Sequence, residues 1–251
     1  MLYIYIKELN FRLLYCFFSL LITWIVCYIY SNQIVFLLSK PLLINSGNFL
    51  LGSNTFNPRF FIFTNLTEAF EIYLFLAFVS SLVFTGPFIL YNIWFFFKPG
   101  LYKFEWFFVR FFIFGSLFFL IFSLLFTYNI VIPAAWSFFL SFEFPVITDY
   151  SVGIHLEPRI SEYFYLLVKL FFYFCLFFQI PWILVLLTTY GYLNYVFLYR
   201  FRKFVVVFIF LICALLTPPD LFSQVFLAIP FIFFYEFIIL YNIFLKKYLF
   251  L

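Results

Sequence analysis

"LLTPPDLFSQVFLAIP", Leu215 to Pro230, breaks an apolar run with two prolines, an aspartate, a serine and a glutamine. It then returns at once to aliphatic and aromatic residues. Pro218 and Pro219 lack the N–H that a continuing helix needs, and each restricts the residue before it. Asp220 and Ser223 are residue types that accept bonds from the free amides of a new helix. The stretch therefore reads as a rigid hairpin corner between two helices, Phe204–Leu216 and Phe222–Leu245. A bare turn is the simpler reading; a polar docking surface beside a locally thinned bilayer is compatible with it. The earlier helix has about 13 residues, roughly 20 Å at 1.5 Å per residue, against a hydrocarbon core of about 30 Å. A span that short thins the bilayer around it.

Outward from this corner, the composition leaves one solvent for the chain. Of its 251 residues, 68% are hydrophobic and 10% charged, with a mean hydropathy of +1.16. A soluble domain draws on about 25% Asp, Glu, Lys and Arg, so this is an integral membrane protein, expected as a single domain over 1–251. Runs of about 20 apolar residues recur at Leu13–Tyr30, Glu68–Phe97, Trp106–Tyr128 and Tyr163–Leu187. With the two helices around the corner, these make six spans. Pro87, Pro181 and Pro230 lie inside spans, where neighbours can satisfy the freed carbonyls and the outcome is a kink. The expected fold is all-α: six transmembrane helices in a kinked, concave bundle.

With six spans and both termini on one side, that side holds ten of the 14 basic residues: Lys7, Arg12, Lys98, Lys103, Arg110, Arg200, Arg202, Lys203, Lys246 and Lys247. The other side holds Lys40, Arg59 and Arg159, and Lys169 stays within the fourth span. This asymmetry puts both termini on the matrix or cytoplasmic side. Two outer loops, about 40–65 and 129–162, are long. The second contains "VIPAAWSFFLSFEFP" (131–145), too short to span and expected as an interfacial helix.

The 50 Phe and 20 Tyr exceed what a bilayer demands, since Leu would serve as well as Phe. T-rich codons encode both, so an AT-biased organellar genome accounts for the excess and points to the mitochondrion. Cys16, Cys27, Cys175 and Cys213 are scattered through apolar runs, suggesting neither metal nor disulfide, and no cleavable signal is expected. The single histidine, His155, cannot hang an intramembrane cofactor of the usual multi-histidine kind. No phosphate loop or nucleophile motif appears. Neither an enzyme, a cofactor nor a nucleic-acid partner is expected.

The ionisable groups in or near lipid are costly and so are candidates. Glu68 and Glu71 lie one turn apart at the outer start of the second span, and Asn65 with Glu68 has capping-box spacing. Glu236, midway along the last span, must be protonated, paired or facing a wet cavity. Lys169 can snorkel outward. On the basic face, Glu8 precedes Arg12 by four residues, a favourable helical pair, and Glu105 sits in a tight connection. Two carboxylates there can receive guanidinium groups, or they can balance Arg12, Lys103 and Arg110.

"GPFILYNIWFFFKPGLYKFEW" (86–106) and "LLTPPDLFSQVFLAIPFIFFYE" (215–236) closely resemble the TatC family, the multispanning subunit of the twin-arginine protein translocase. "KELNFRLL" (7–14) resembles the family's "ELRxRLL" segment, and "SKPL" (39–42) its "SxPL". The resemblance implies a receptor that binds the twin-arginine signal peptide of folded cargo. It would recruit a single-span TatA- or TatB-type partner, work on the protonmotive force and form a homo-oligomer, here in the mitochondrial inner membrane. By position, Glu8 and Glu105 match the carboxylates that contact the signal's arginines, with Phe96, Leu101 and Tyr102 around them. Pro41 matches the outer-loop proline, while Asp220 and Gln224 match the polar corner and a partner-docking position. Glu236 and Gln179 complete the polar intramembrane set.

Three positions depart from the family pattern. Asn10 stands where its first arginine would be, Gln179 in "FFQIPW" replaces an intramembrane glutamate, and Arg159 replaces an outer aspartate. Gln179 keeps hydrogen-bonding capacity without charge. The competing reading is a proton-conducting or structural subunit of a respiratory complex, relaying through Glu236, Lys169 and Glu68/Glu71.

Overall fold

The computed structural model describes residues 2–49, 61–100, 102–142, 157–189, 191, 193, 195–216 and 221–249. The regular structure among them is helical. In chain order the helices are α1 (Leu2–Ile29), α2 (Ser31–Phe49), α3 (Glu68–Phe97), α4 (Lys103–Phe126), α5 (Ile132–Leu140), α6 (Ile160–Thr189), α7 (Tyr195–Leu216) and α8 (Leu221–Leu249). A 3-10 turn, Lys98–Gly100, follows α3, and a π-helical stretch, Thr127–Val131, joins α4 to α5.

Among the described residues, four segments are long and apolar enough to cross a membrane: Tyr5–Ile29, Glu68–Gly100, Val109–Leu140 and Ile160–Thr189. A shorter apolar stretch, Ala228–Ile243, lies in α8. The chain is a multi-pass integral membrane protein.

Several helix bounds differ from those expected of hydropathy. α1 begins at Leu2, because Lys7, Glu8 and Arg12 are good helix formers and carry the helix beyond its apolar part. α2 occupies much of what reads as an outer loop, after a turn in which the Gln33 and Ile34 amides both donate to the Tyr30 carbonyl. α7 has 22 residues rather than about 13; it starts nine residues before Phe204 and carries Arg200, Arg202 and Lys203 in its polar part. The segment expected as a separate interfacial helix continues α4 through the π stretch into α5. Thr127, buried at the start of that stretch, donates to the Ser123 carbonyl at 2.8 Å. One extra residue per turn absorbs the offset without breaking the helix.

Prolines 41, 87, 181 and 230 all lie within continuous helices. Hydroxyls in the apolar helices are satisfied locally: Thr23, Ser81, Thr85, Ser116 and Ser123 each donate to a carbonyl three or four residues back. This back-bonding removes an unpaired donor from a medium that offers no replacement.

The chain divides into two compact units, Met1–Leu117 with Glu157–Val168, and Phe118–Leu156 with Lys169–Leu251. In the first, α1 packs along α3 and the core includes Ile72, Leu76, Ala77, Phe164 and Leu167. An isolated bridge pairs Ile62 with Arg159. Phe61 packs on Tyr163 and Phe164, with centroids 5.2 and 5.8 Å apart. The Tyr163 hydroxyl reaches the Leu38 carbonyl at 2.9 Å, in the turn before buried Pro41.

The second unit is built on phenylalanine. Phe174, Phe178 and Phe231 are fully buried, and Phe231 lies 4.0 Å from Phe177 and 4.6 Å from Phe178, centroid to centroid. Phe119 stacks on Trp182 at 5.7 Å. Tilted and edge-on geometry at these distances adds to plain area burial. Whatever biased the chain towards Phe, its packing has come to depend on it.

Candidate functional site

Glu8 lies on the second turn of α1, and Arg12 one turn later on the same face. Arg12 donates from Nε at 3.0 Å and from Nη2 at 2.5 Å, both to Glu8 Oε1. Its Cζ lies 4.6 Å from the centroid of Phe95 on α3. The guanidinium is therefore held by a carboxylate and an aromatic face together. The packing of α1 along α3 brings these groups into one place.

The end of α3 continues the site. Phe96 is half-buried, and Tyr102 is 80% exposed just before α4. The Tyr102 carbonyl accepts the Trp106 amide at 2.9 Å, opening α4. Glu105 lies in the first turn of α4, but its side chain is outside the described residues, as is Leu101. Sequence reasoning passed over Phe95 and the aromatic surface around it. The alternation of Trp, Phe and Lys in "IWFFFKPGLYKFEW" was the available signal.

The other candidates fall into separate places. Asp220 and the whole Thr217–Asp220 corner lie outside the described residues. Below it, Gln224 Nε2 donates to the Phe210 carbonyl at 3.0 Å, tying α8 to α7. Gln179 is half-buried on α6, two residues before Pro181. Glu236 on α8 is paired: Arg202 of α7 donates from Nε to one of its oxygens and from Nη2 to the other. Tyr235, beside it, donates to the Leu198 carbonyl at 2.7 Å.

Glu68 is a structural latch. Its Oε2 accepts from the Thr64 amide at 2.9 Å, the Thr64 hydroxyl at 3.3 Å and the Asn65 amide at 3.3 Å, and its Oε1 accepts from Ser161. The capping box expected of Asn65 and Glu68 takes a different form. The N-cap is Thr67, which makes no side-chain cap, and the carboxylate itself gathers the amides before the helix. Lys169 is exposed.

The fold is that of a multi-pass helical membrane protein, with a guanidinium held on a carboxylate near the start of α1. The family model for TatC, the Sec-independent protein translocase protein, matches residues 5–230. The Sec-independent protein translocase protein TatC of Rickettsia prowazekii is 36% identical over 232 residues, covering 92% of this chain and 88% of that one. The tatC-like protein ymf16 of Nephroselmis olivacea is 35% identical over 238 residues, covering 95% and 92%. A crystal structure of the twin arginine translocase receptor TatC in DDM superposes with a TM-score of 0.68 at 26% identity, covering 95% of this chain and 99% of that one. The chain belongs to the TatC family and is a transport subunit rather than an enzyme.

Proposed function

We propose that this chain is the signal-peptide receptor and scaffold of a twin-arginine translocase. It crosses the mitochondrial inner membrane six times with both termini in the matrix and assembles as a homo-oligomer. Glu8 and Glu105 bind the guanidinium groups of the signal, with Phe96, Leu101 and Tyr102 forming the surrounding loop. A single-span TatA- or TatB-type subunit docks against the polar set of Pro41, Gln179, Asp220, Gln224 and Glu236, and folded cargo moves on the protonmotive force. The observation that carries this reading is Glu8 already holding a guanidinium, that of Arg12, against the face of Phe95. The site has the chemistry of the ligand it is proposed to bind. Resemblance to relatives of mitochondrial type, the tatC-like ymf16 proteins, supports the location.

The proton-relay alternative loses support from the same contacts. Glu68 is enclosed by four donors, and Glu236 is held by Arg202. Neither offers an open link in a chain of exchangeable protons.

The reading is tested by titrating a fluorescent twin-arginine signal peptide against the purified chain. Loss of charge-assisted bonds worth about 1.5–3 kcal/mol gives Glu8→Ala or Glu105→Ala about 10- to 100-fold weaker binding. A Lys-Lys peptide should lose affinity to the same degree. Equal affinity across these variants and peptides would contradict the assignment.

A further inference from the structure

Lys169 stands alone in a long apolar helix. α6 runs for 30 residues, Ile160–Thr189, and the whole of it is apolar enough to cross a membrane. From Tyr163 to its end, Lys169 is the single charged residue. The nearest charge before it, Glu162, comes seven residues earlier and pairs with Arg159 at 3.6 Å. At 1.5 Å per residue, Lys169 lies about 14 Å from one end of the helix and about 30 Å from the other.

Beyond Lys169 the helix has two faces. Leu170, Phe174, Phe177 and Phe178 are buried in the phenylalanine core. Phe172, Tyr173, Leu176 and Ile180 are exposed, and Lys169 is exposed with them. These four follow Lys169 by three, four, seven and eleven residues, the spacing of one helical stripe. The chain's own core thus takes one face of α6 and leaves an apolar stripe headed by an ammonium. Among the described residues no carboxylate pairs with Lys169.

A charge in an apolar span is costly, and as a rule it faces its own bundle or pairs with an opposite charge. Lys169 does neither within this chain. Its stem can carry the ammonium towards water, whereas a carboxylate on a neighbouring helix answers the charge where it stands. Polar pairs of that kind hold membrane helices together where apolar contact alone does not, because lipid tails are as apolar as leucine. We propose that this stripe of α6 docks a membrane-spanning helix of another polypeptide, one that carries an aspartate or glutamate within its own apolar stretch. The carboxylate accepts from Lys169 Nζ, and Phe172, Tyr173, Leu176 and Ile180 supply the packing over the turns that follow. The inference stands whether or not the chain binds twin-arginine signals, because it uses none of the residues assigned to that role.

The test is photocrosslinking in the full chain, reconstituted in phosphatidylcholine vesicles with a photoreactive residue in place of Phe172. The probes are synthetic Leu–Ala membrane-spanning peptides, each with one glutamate at a different depth, and a matching glutamine series. At the depth that meets Lys169, the glutamate peptide should crosslink about 3- to 30-fold more than its glutamine counterpart. The preference should vanish in Lys169→Leu, which keeps the face apolar, and persist in Lys169→Arg. It should return in Lys169→Glu for a peptide with lysine at the same depth. Equal crosslinking of the two series at every depth would overturn the proposal, as would a preference that survives Lys169→Leu. Loss of the preference on adding phosphatidylglycerol would assign the ammonium to lipid phosphate and overturn the helix assignment. Crosslinking between two copies of the chain that excludes every peptide would assign the face to self-association, with the same consequence.

Discussion

Arg12 places both Nε and Nη2 on a single oxygen of Glu8. Both bonds fall on Oε1, and on the receptor reading proposed above Oε2 is the oxygen an incoming guanidinium would use. The pair itself contributes little to stability, since helical pairs at this spacing are worth about 0.2–0.5 kcal/mol. Its consequence lies in positioning. Arg12→Lys retains the charge and loses the planar fork, and should weaken twin-arginine peptide binding by about 5-fold. Thermal stability in detergent should stay within about 0.5 kcal/mol of the parent. A binding loss accompanied by a large stability loss would reassign Arg12 to the fold.

The Arg202–Glu236 pair joins α7 to α8 with both carboxylate oxygens engaged. Arg202 is 45% exposed and Glu236 28%, so the pair sits between the surface and buried limits. Arg202→Leu leaves a half-buried carboxylate without its partner and should lower stability. Replacing both residues with leucine should recover most of that loss. The check is a double-mutant cycle on thermal unfolding in detergent, and additive single losses would show that the two do not interact.

Glu68 gathers four donors from segments 93 positions apart in sequence at the most distant. Ser161→Ala removes one bond to a charged acceptor and should cost about 1.5–3 kcal/mol. Glu68→Gln should cost more, because its amide cannot accept at both ends. Hydrogen exchange at the Thr64 and Asn65 amides should rise in Glu68→Gln, whereas exchange in α8 should not change.

How far these features were legible in the sequence depends on their range. Apolar runs located α3 and α6 closely, because lipid contact and helix length coincide there. They failed at α1 and α7, where a helix outlasts its apolar face: Lys7, Arg200 and Lys203 favour helix as well as leucine does, and hydropathy registers only the part that meets lipid. They failed again at 129–140, since no local rule announces that a π stretch will carry α4 past Asn129 and Pro133. Glu8 and Arg12 were readable from spacing alone. Glu236 announced itself as a carboxyl in need of company, but Arg202, 34 positions away, could be found only by folding the chain. The same holds for Phe95 beneath Arg12.

Phe231 tests the phenylalanine core of the second unit. It is almost fully buried against Phe177 and Phe178, and Phe231→Ala should cost about 3–5 kcal/mol through the cavity left behind. Phe231→Leu should cost less than half as much. Equal losses would mean that the ring's shape matters more than its volume.

The central claim is most directly tested by site-specific photocrosslinking of a twin-arginine signal peptide to this chain in membranes. Probes replace Phe11 on α1 and Tyr102 before α4, both exposed. A crosslink should form with the native signal, and should be lost with a Lys-Lys signal and with Glu105→Ala. No crosslink, or one indifferent to both changes, would contradict the receptor site.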